Sequence, residues 1–171
     1  MSAVVHSINI STEGGVPKLP IDKGEILFAG VKGDFNRFRA EKKNGIGTRA
    51  VTLFSLEQIK KLKSEGHAID VGTTGENITI EGIDWPTLEV GTRMMIGEAM
   101  IELSEPTAPC SKIGKSFIDG AFSRIDHELE VGWSRWSASV IEEGGVEVGS
   151  QVILLLSLIH ISEPTRRRGI A

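Results

Sequence analysis

The sequence predicts a mainly β domain with a few short helices, its strands closed into a compact barrel. Three observations carry that prediction. Twenty glycines recur at short intervals along the 171 residues, which marks tight turns more than a helical bundle. Between the glycines lie short β-branched or alternating segments. Only one stretch carries a complete set of helix start and stop signals.

Taken in order, the residues Ala3-Val4-Val5-His6-Ser7-Ile8-Asn9-Ile10 are β-branched and half alternating, so they read as a first strand, broken by Gly14-Gly15 and Pro17. Pro20 to Ile26 reads as a turn entering a second short strand. From Lys32 to Lys43 the chain is polar and basic, with Arg37, Arg39, Lys42 and Lys43, and Asn44-Gly45-Ile46-Gly47 closes the stretch as a loop. Ala50 to Phe54 is a further strand leading into the helix. Ser55 is a good N-cap, Gln58 completes a capping box, Phe54 is placed to staple onto Ile59, and Gly66 ends the helix as its C′ residue. Leu56, Ile59 and Leu62 share one face; Lys60, Lys61 and Lys63 lie largely on the other, a solvated face.

Asn77 to Glu81 and Ala99 to Leu103 alternate cleanly, with glycines at 72, 75, 82, 91 and 97 dividing this region into short strands. Helical character returns between Ser111 and Leu129, weakened by Gly114 and Gly120. A last strand pair is expected from Ser137 to Ile141 and from Val146 to Leu156, with a turn at Gly144-Gly145. One domain is expected over residues 1–156. The tail 157–171 has no apolar face, carries Arg166-Arg167-Arg168 and resembles a translated sequencing adapter; it is read as a basic tail outside the domain.

A net charge of −4 and a pI near 5.6 exclude a general nucleic-acid binder, because contact with phosphate backbones needs a basic surface. No apolar leader follows Met1 and no run of eighteen apolar residues occurs, so neither signal peptide nor membrane span is expected and the location expected is cytoplasmic. The single cysteine rules out a disulfide within the chain. His6, His67, His127 and His160 lack zinc-ligand spacing, and there is no Walker loop, HExxH motif or strand-borne GxGxxG.

The most informative stretch is Glu105-Pro106-Thr107-Ala108-Pro109-Cys110-Ser111-Lys112-Ile113-Gly114, which follows a strand. Its two prolines stiffen the loop and push the residues before them towards extended geometry. A helix beginning near Ser111 would aim its N-terminal dipole at Cys110, and Lys112 and Lys115 would add positive charge. A thiolate so favoured could ligate a soft metal or carry sulfur. Equally, Cys110 could be a small buried hydrophobe. The basic segment 32–43, with Arg49 close behind, could hold a phosphate through arginine's planar fork, or simply be a solvated loop.

From Val4 to Leu155 these pieces resemble the MOSC domain family, named for the C-terminal domain of molybdenum-cofactor sulfurases, in order and spacing. Gly30-Val31-Lys32-Gly33-Asp34 resembles its early Gly-Asp motif, and Asn44 to Val51 its His-Gly-Gly-x-x-Arg-Ala-Val stretch. Gly75-Glu76-Asn77 resembles its strand entry, and Ile96-Gly97-Glu98-Ala99 through Pro109-Cys110 its cysteine motif. Gly132-Trp133 and the Gly144-Gly145 pair before Val148-Gly149 also fit. The resemblance implies a β-barrel that handles molybdenum cofactor, or molybdopterin. It makes Cys110 the molybdenum ligand or sulfur carrier and Arg49 the grip on the pterin phosphate, with Asp34 and Asn77 lining the pocket and Lys112 beside the cysteine. Two positions depart from the pattern: Asn44 stands for the usual histidine, and Thr107 for the usual arginine, removing an anion contact that the basic run 37–43 would have to replace.

Three functions follow. The first is a cofactor-binding oxidoreductase acting on N-hydroxylated compounds, which would need a separate electron-donor protein because the chain carries no iron–sulfur cysteine set and no flavin motif. The second is a sulfur carrier charged by a cysteine desulfurase; pyridoxal phosphate, associated with larger sulfurases, finds no lysine in a Schiff-base context here. The third is a non-catalytic binding module with a structural Cys110. Trp133 and Trp136 are read as core.

Overall fold

The computed structural model describes residues 3–35, 42–43 and 46–155. Arg37, Arg39, Asn44 and the whole of the tail 157–171 lie outside the described residues. In chain order the strands are β1 (Ala3–Ile10), β2 (Leu19–Ile21), β3 (Lys23–Leu27), β4 (Gly30–Val31), β5 (Lys42–Lys43), β6 (Ile46–Gly47) and β7 (Val51–Ser55). Helix α1 (Leu56–Ser64) follows, then β8 (Ile78–Glu81), β9 (Arg93–Ile96), β10 (Ala99–Thr107), β11 (Arg135–Glu142), β12 (Gly144–Glu147) and β13 (Gln151–Leu155). The remaining helical pieces are single 3-10 segments at Trp85–Thr87, Ser111–Ser116, Ile118–Gly120 and Phe122–Ile125.

Seven strands close into a barrel in the order β1-β13-β9-β10-β11-β7-β8, with β8 returning to β1. Every pairing in the ring is antiparallel except β7 with β8, whose parallel arrangement follows from the α1 crossover between them. The seam is Ala3 opposite Val152 and Val4 opposite Gln151. Further along the same edge, β1 pairs with β2. A smaller sheet, β12-β3-β4, lies outside the ring, and β5 pairs with β6 around positions 44 and 45, so the basic stretch ends in a short ladder where the sequence predicts only a loop.

Inward side chains fill the barrel, as they must when so few strands close. Ile8, Leu53, Ile78, Ile80, Met94, Ile96, Ile101 and Leu103 are fully buried, joined by Phe54, Trp85 and Trp136. Trp136 is therefore core, as expected, whereas Trp133 is half-buried beneath the Arg124 guanidinium, 4.0 Å from its ring centre. Arg124 also grips Glu65 through two bonds of 2.8 and 2.9 Å, fastening the 3-10 segments to the end of α1.

Helix α1 obeys its sequence signals with one change. Ser55 accepts from the Gln58 N–H at 3.1 Å, Gly66 adopts φ +102, and the His67 N–H reaches back to the Leu62 carbonyl, closing a Schellman turn. The Gln58 side chain does not complete the capping box; it donates instead to the Gly132 carbonyl at 2.6 Å, tying the helix to the approach of β11. Lys60, Lys61 and Lys63 are exposed, as predicted.

Two other expectations need correction. Gly144 and Gly145 are strand residues of β12, and the final turn falls at Val148–Gly149. These glycines serve close approach: a Cβ at Gly144 would overlap the Glu98 main chain. The helix expected from Ser111 onwards is three 3-10 turns, with glycine in two of them, so no α-helix forms.

Candidate functional site

At one end of the barrel the loop after β1, the approach to β7, the Thr74–Gly75 turn, the end of β10 and the start of β11 converge on a cavity of about 450 Å³. That volume is in the range of small-molecule sites. Cys110 lines it and is exposed. It sits where β10 has ended, in extended geometry (φ −145°, ψ 173°), immediately before the 3-10 segment Ser111–Ser116. With no α-helix starting at Ser111, the expected helix dipole is not aimed at Cys110. The first turn is a short 3-10 piece, and its Ile113 N–H donates to the Cys110 carbonyl at 3.1 Å.

Lys112 and Arg49 share the cavity with Cys110. Arg49 stands half-exposed, its Nε 3.3 Å from Glu105 Oε1, so the two form a charged pair on the cavity wall. Asp34 and Asn77 do not line the cavity; they brace its wall from behind. Asp34 accepts from the Ser11 N–H at 2.8 Å and from Lys18 Nζ at 2.7 Å. Asn77 accepts from the Thr52 N–H at 3.1 Å and donates to the Asn9 carbonyl at 3.2 Å and to Asp34 at 3.1 Å. The two strand entries resembling family motifs thus meet in a buried network, because β8 lies between β1 and β7. Lys18, which the sequence reading passed over, is the residue this network presents to the cavity.

Arg135 was also missed. It opens β11 opposite Thr107 of β10, lines the cavity, and is 7 % exposed. Its Nη1 donates to the Thr74 carbonyl at 2.7 Å and its Nη2 to the Ala108 carbonyl at 3.3 Å, while Nε is buried without a partner among the described residues. Among the described residues no carboxylate bonds to it. Burial pushes its pKa down to about 10, against the opposing attraction of Glu76 and Cys110. The signal was present: an arginine before a run of small and apolar residues that are all buried. Starting the strand at Ser137 left it outside.

Glu76 lies wholly buried beyond this wall. Burial raises its pKa from the usual 4.5, opposed by bonds from the Gly72 N–H at 2.9 Å and the Thr74 and Thr79 hydroxyls at 2.9 and 3.0 Å. The histidines stay away from the cysteine. His67 accepts the Ile118 N–H and packs edge-on to Phe117, His127 packs edge-on to Trp136, and neither lines the cavity. Among the described residues no three His, Cys, Asp or Glu side chains cluster as a metal cage. The arrangement offers one thiol and a wall rich in cations: Lys18, Arg49, Lys112 and Arg135 against Glu13 and Glu105.

Comparison with known proteins agrees with this architecture. The family model described as the MOSC domain matches residues 33–153. The YflK protein of Bacillus subtilis is 31% identical over 81 residues, covering 47% of this chain and 36% of its own length. The YiiM protein of Escherichia coli is 27% identical over 148 residues, covering 82% of this chain and 63% of its own. The chain therefore spans less than two thirds of either relative. Among solved structures, YiiM from Geobacillus stearothermophilus superposes with a TM-score of 0.68 at 22% identity, covering 90% of this chain and 75% of that one, a likeness of fold.

Proposed function

Because the chain belongs to the MOSC domain family, we propose that it binds molybdenum cofactor in the 450 Å³ cavity, with Cys110 as the protein's ligand to the metal. One observation carries the reading: the chain's only cysteine and four cationic side chains line the same cavity in a protein of net charge −4. Thiolate suits a soft centre, and a metal held chiefly by its own organic ligand needs a single donor from the protein. The cations suit the anionic pterin phosphate. Arg49, which lines the cavity, would take that phosphate in exchange for its contact with Glu105, and Lys112 would add charge beside Cys110. Asp34 and Asn77 contribute by holding Lys18 and the cavity wall. When bound, the cofactor supplies the redox centre, and the chain's residues orient it and neutralise its charge. Turnover of N-hydroxylated compounds would draw electrons from a separate protein.

A second reading rests on the exposure of Cys110 and of its neighbours Ala108, Ser111 and Lys112, which leaves the sulfur reachable by another protein. In that reading the Cys110 thiolate takes a sulfur atom from the persulfide of a cysteine desulfurase. It becomes a persulfide itself, and the donor's thiolate leaves.

Expression in a cofactor-producing host separates the two. Stoichiometric molybdenum on the purified chain, lost in Cys110→Ser, supports the first. A gain of one sulfur mass on Cys110 after desulfurase treatment, without metal, supports the second. A chain that retains neither metal nor sulfur leaves Cys110 a structural residue.

A further inference from the structure

Opposite each other in the antiparallel β10–β11 ladder stand Thr107 and Arg135, both on the cavity wall. Thr107 stands where the resembled cysteine motif usually has an arginine. Arg135 is a guanidinium more than nine-tenths buried, and among the described residues one of its nitrogens has no acceptor and none bonds to a carboxylate. Its other nitrogens are spent on two main-chain carbonyls, one of them Ala108, two residues before Cys110. Neutral carbonyls satisfy hydrogen bonds but do not neutralise a buried charge. Glu76 attracts the guanidinium through space without bonding to it, so a negative group in direct contact with it would come from the cavity that Arg135 lines.

We propose that Arg135 is a further anion contact of this cavity, beside the one assigned to Arg49, holding a negatively charged oxygen of whatever ligand Cys110 binds, in the place across the ladder from Thr107. The inference rests on the cofactor reading above and adds a second anion contact, on β11, to the one that reading gives Arg49. It also relieves the basic run 37–43 of that task. Lys18 is paired with Asp34 at 2.7 Å and Arg49 with Glu105 at 3.3 Å, whereas among the described residues Arg135 bonds to no carboxylate. Arginine suits the role because its charge persists at all working pH values and its planar fork fixes the direction of approach.

The test uses the full chain and Cys110 alkylation by iodoacetamide, with molybdate and, separately, sulfate as probe anions at millimolar concentration. Both probes are tetrahedral dianions; only one contains the metal. In the wild type, either anion slows alkylation. In Arg135→Gln the concentration giving half-protection rises on the order of tenfold, the loss of one charge-assisted contact. Arg135→Lys keeps part of the protection. Adding Thr107→Arg to Arg135→Gln restores it, since the new guanidinium rises from the facing position. Circular dichroism and thermal midpoints show whether each variant has folded; if Arg135→Gln has not, the Arg135→Lys and double variants carry the comparison. Wild-type protection by neither anion, or unchanged protection in Arg135→Gln, overturns the proposal. So does a loss that neither Arg135→Lys nor Thr107→Arg repairs, which would make Arg135 only a tie between β11 and the cysteine loop. None of these outcomes bears on molybdenum retention by Cys110, which the Cys110→Ser comparison decides separately.

Discussion

Lys18 Nζ donates to Asp34 Oδ2 at 2.7 Å with both side chains no more than 8 % exposed, and Asn77 Nδ2 donates to the same oxygen at 3.1 Å. The pair fastens the segment entering β2 to the turn after β4, and Asn77 carries the connection on to β1 and β7. Three stretches far apart in sequence therefore set one wall of the cavity.

Asp34→Asn leaves the Lys18 ammonium buried without its counter-charge, and should lower unfolding free energy by about 3–5 kcal/mol in urea melts. Adding Lys18→Met should recover part of that loss, because both charges are then gone. A single-variant loss below about 1 kcal/mol would show that water reaches the pair.

Glu76 gives the stability a pH dependence of defined sign. Its folded pKa is raised above the unfolded 4.5, so the folded state holds the proton more tightly. The Glu76 contribution is complete below pH 4.5 and is lost as pH rises through the raised folded value. Measured from pH 4 to pH 8, Glu76→Gln should therefore gain on the wild type as pH increases. A constant difference across that range would contradict the assignment.

Gly72 adopts φ +81, and a Cβ there would overlap the Lys18 carbonyl oxygen. Gly91 has a similar φ of +92 but open space around it. Gly91→Ala should cost about 1 kcal/mol for backbone strain alone. Gly72→Ala should cost at least about 1 kcal/mol more, since main chain must move as well. Equal thermal midpoints for the two variants would remove the steric argument.

Arg49 and Glu105 oppose each other in the cofactor reading. Arg49→Ala should weaken cofactor retention on the order of tenfold, and the remaining affinity should depend less on salt. Glu105→Gln should tighten retention by removing a negative charge that competes with the phosphate. Dialysis against graded salt, with molybdenum read at each step, measures both.

Much of this fold is legible locally. β1, β7, β8 and β10 announce themselves by β-branched alternation, and α1 by Ser55 and Gly66, because those signals act within a few residues. Features set by distant partners are not. Gln58 satisfies a capping box on paper, yet its amide finds Gly132, and β9 is a strand chiefly because β10 and β13 flank it. The same holds at the site. Cys110, Arg49 and Lys112 are recognisable from their local motif, whereas Lys18 and Arg135 reach the cavity only through the register of strands closed around a ring.

The ring's seam joins the first and last strands of the described residues, Ala3–Val4 against Gln151–Val152. During synthesis, then, a nascent chain lacking Gln151–Leu155 carries two open rims, one on β1 and one on β9, each ready to template a neighbour. Ribosome-stalled chains halted before Gln151 should be digested far faster by protease than chains released after Leu155. Maturation of the cavity waits until Gln151–Leu155 has left the ribosome.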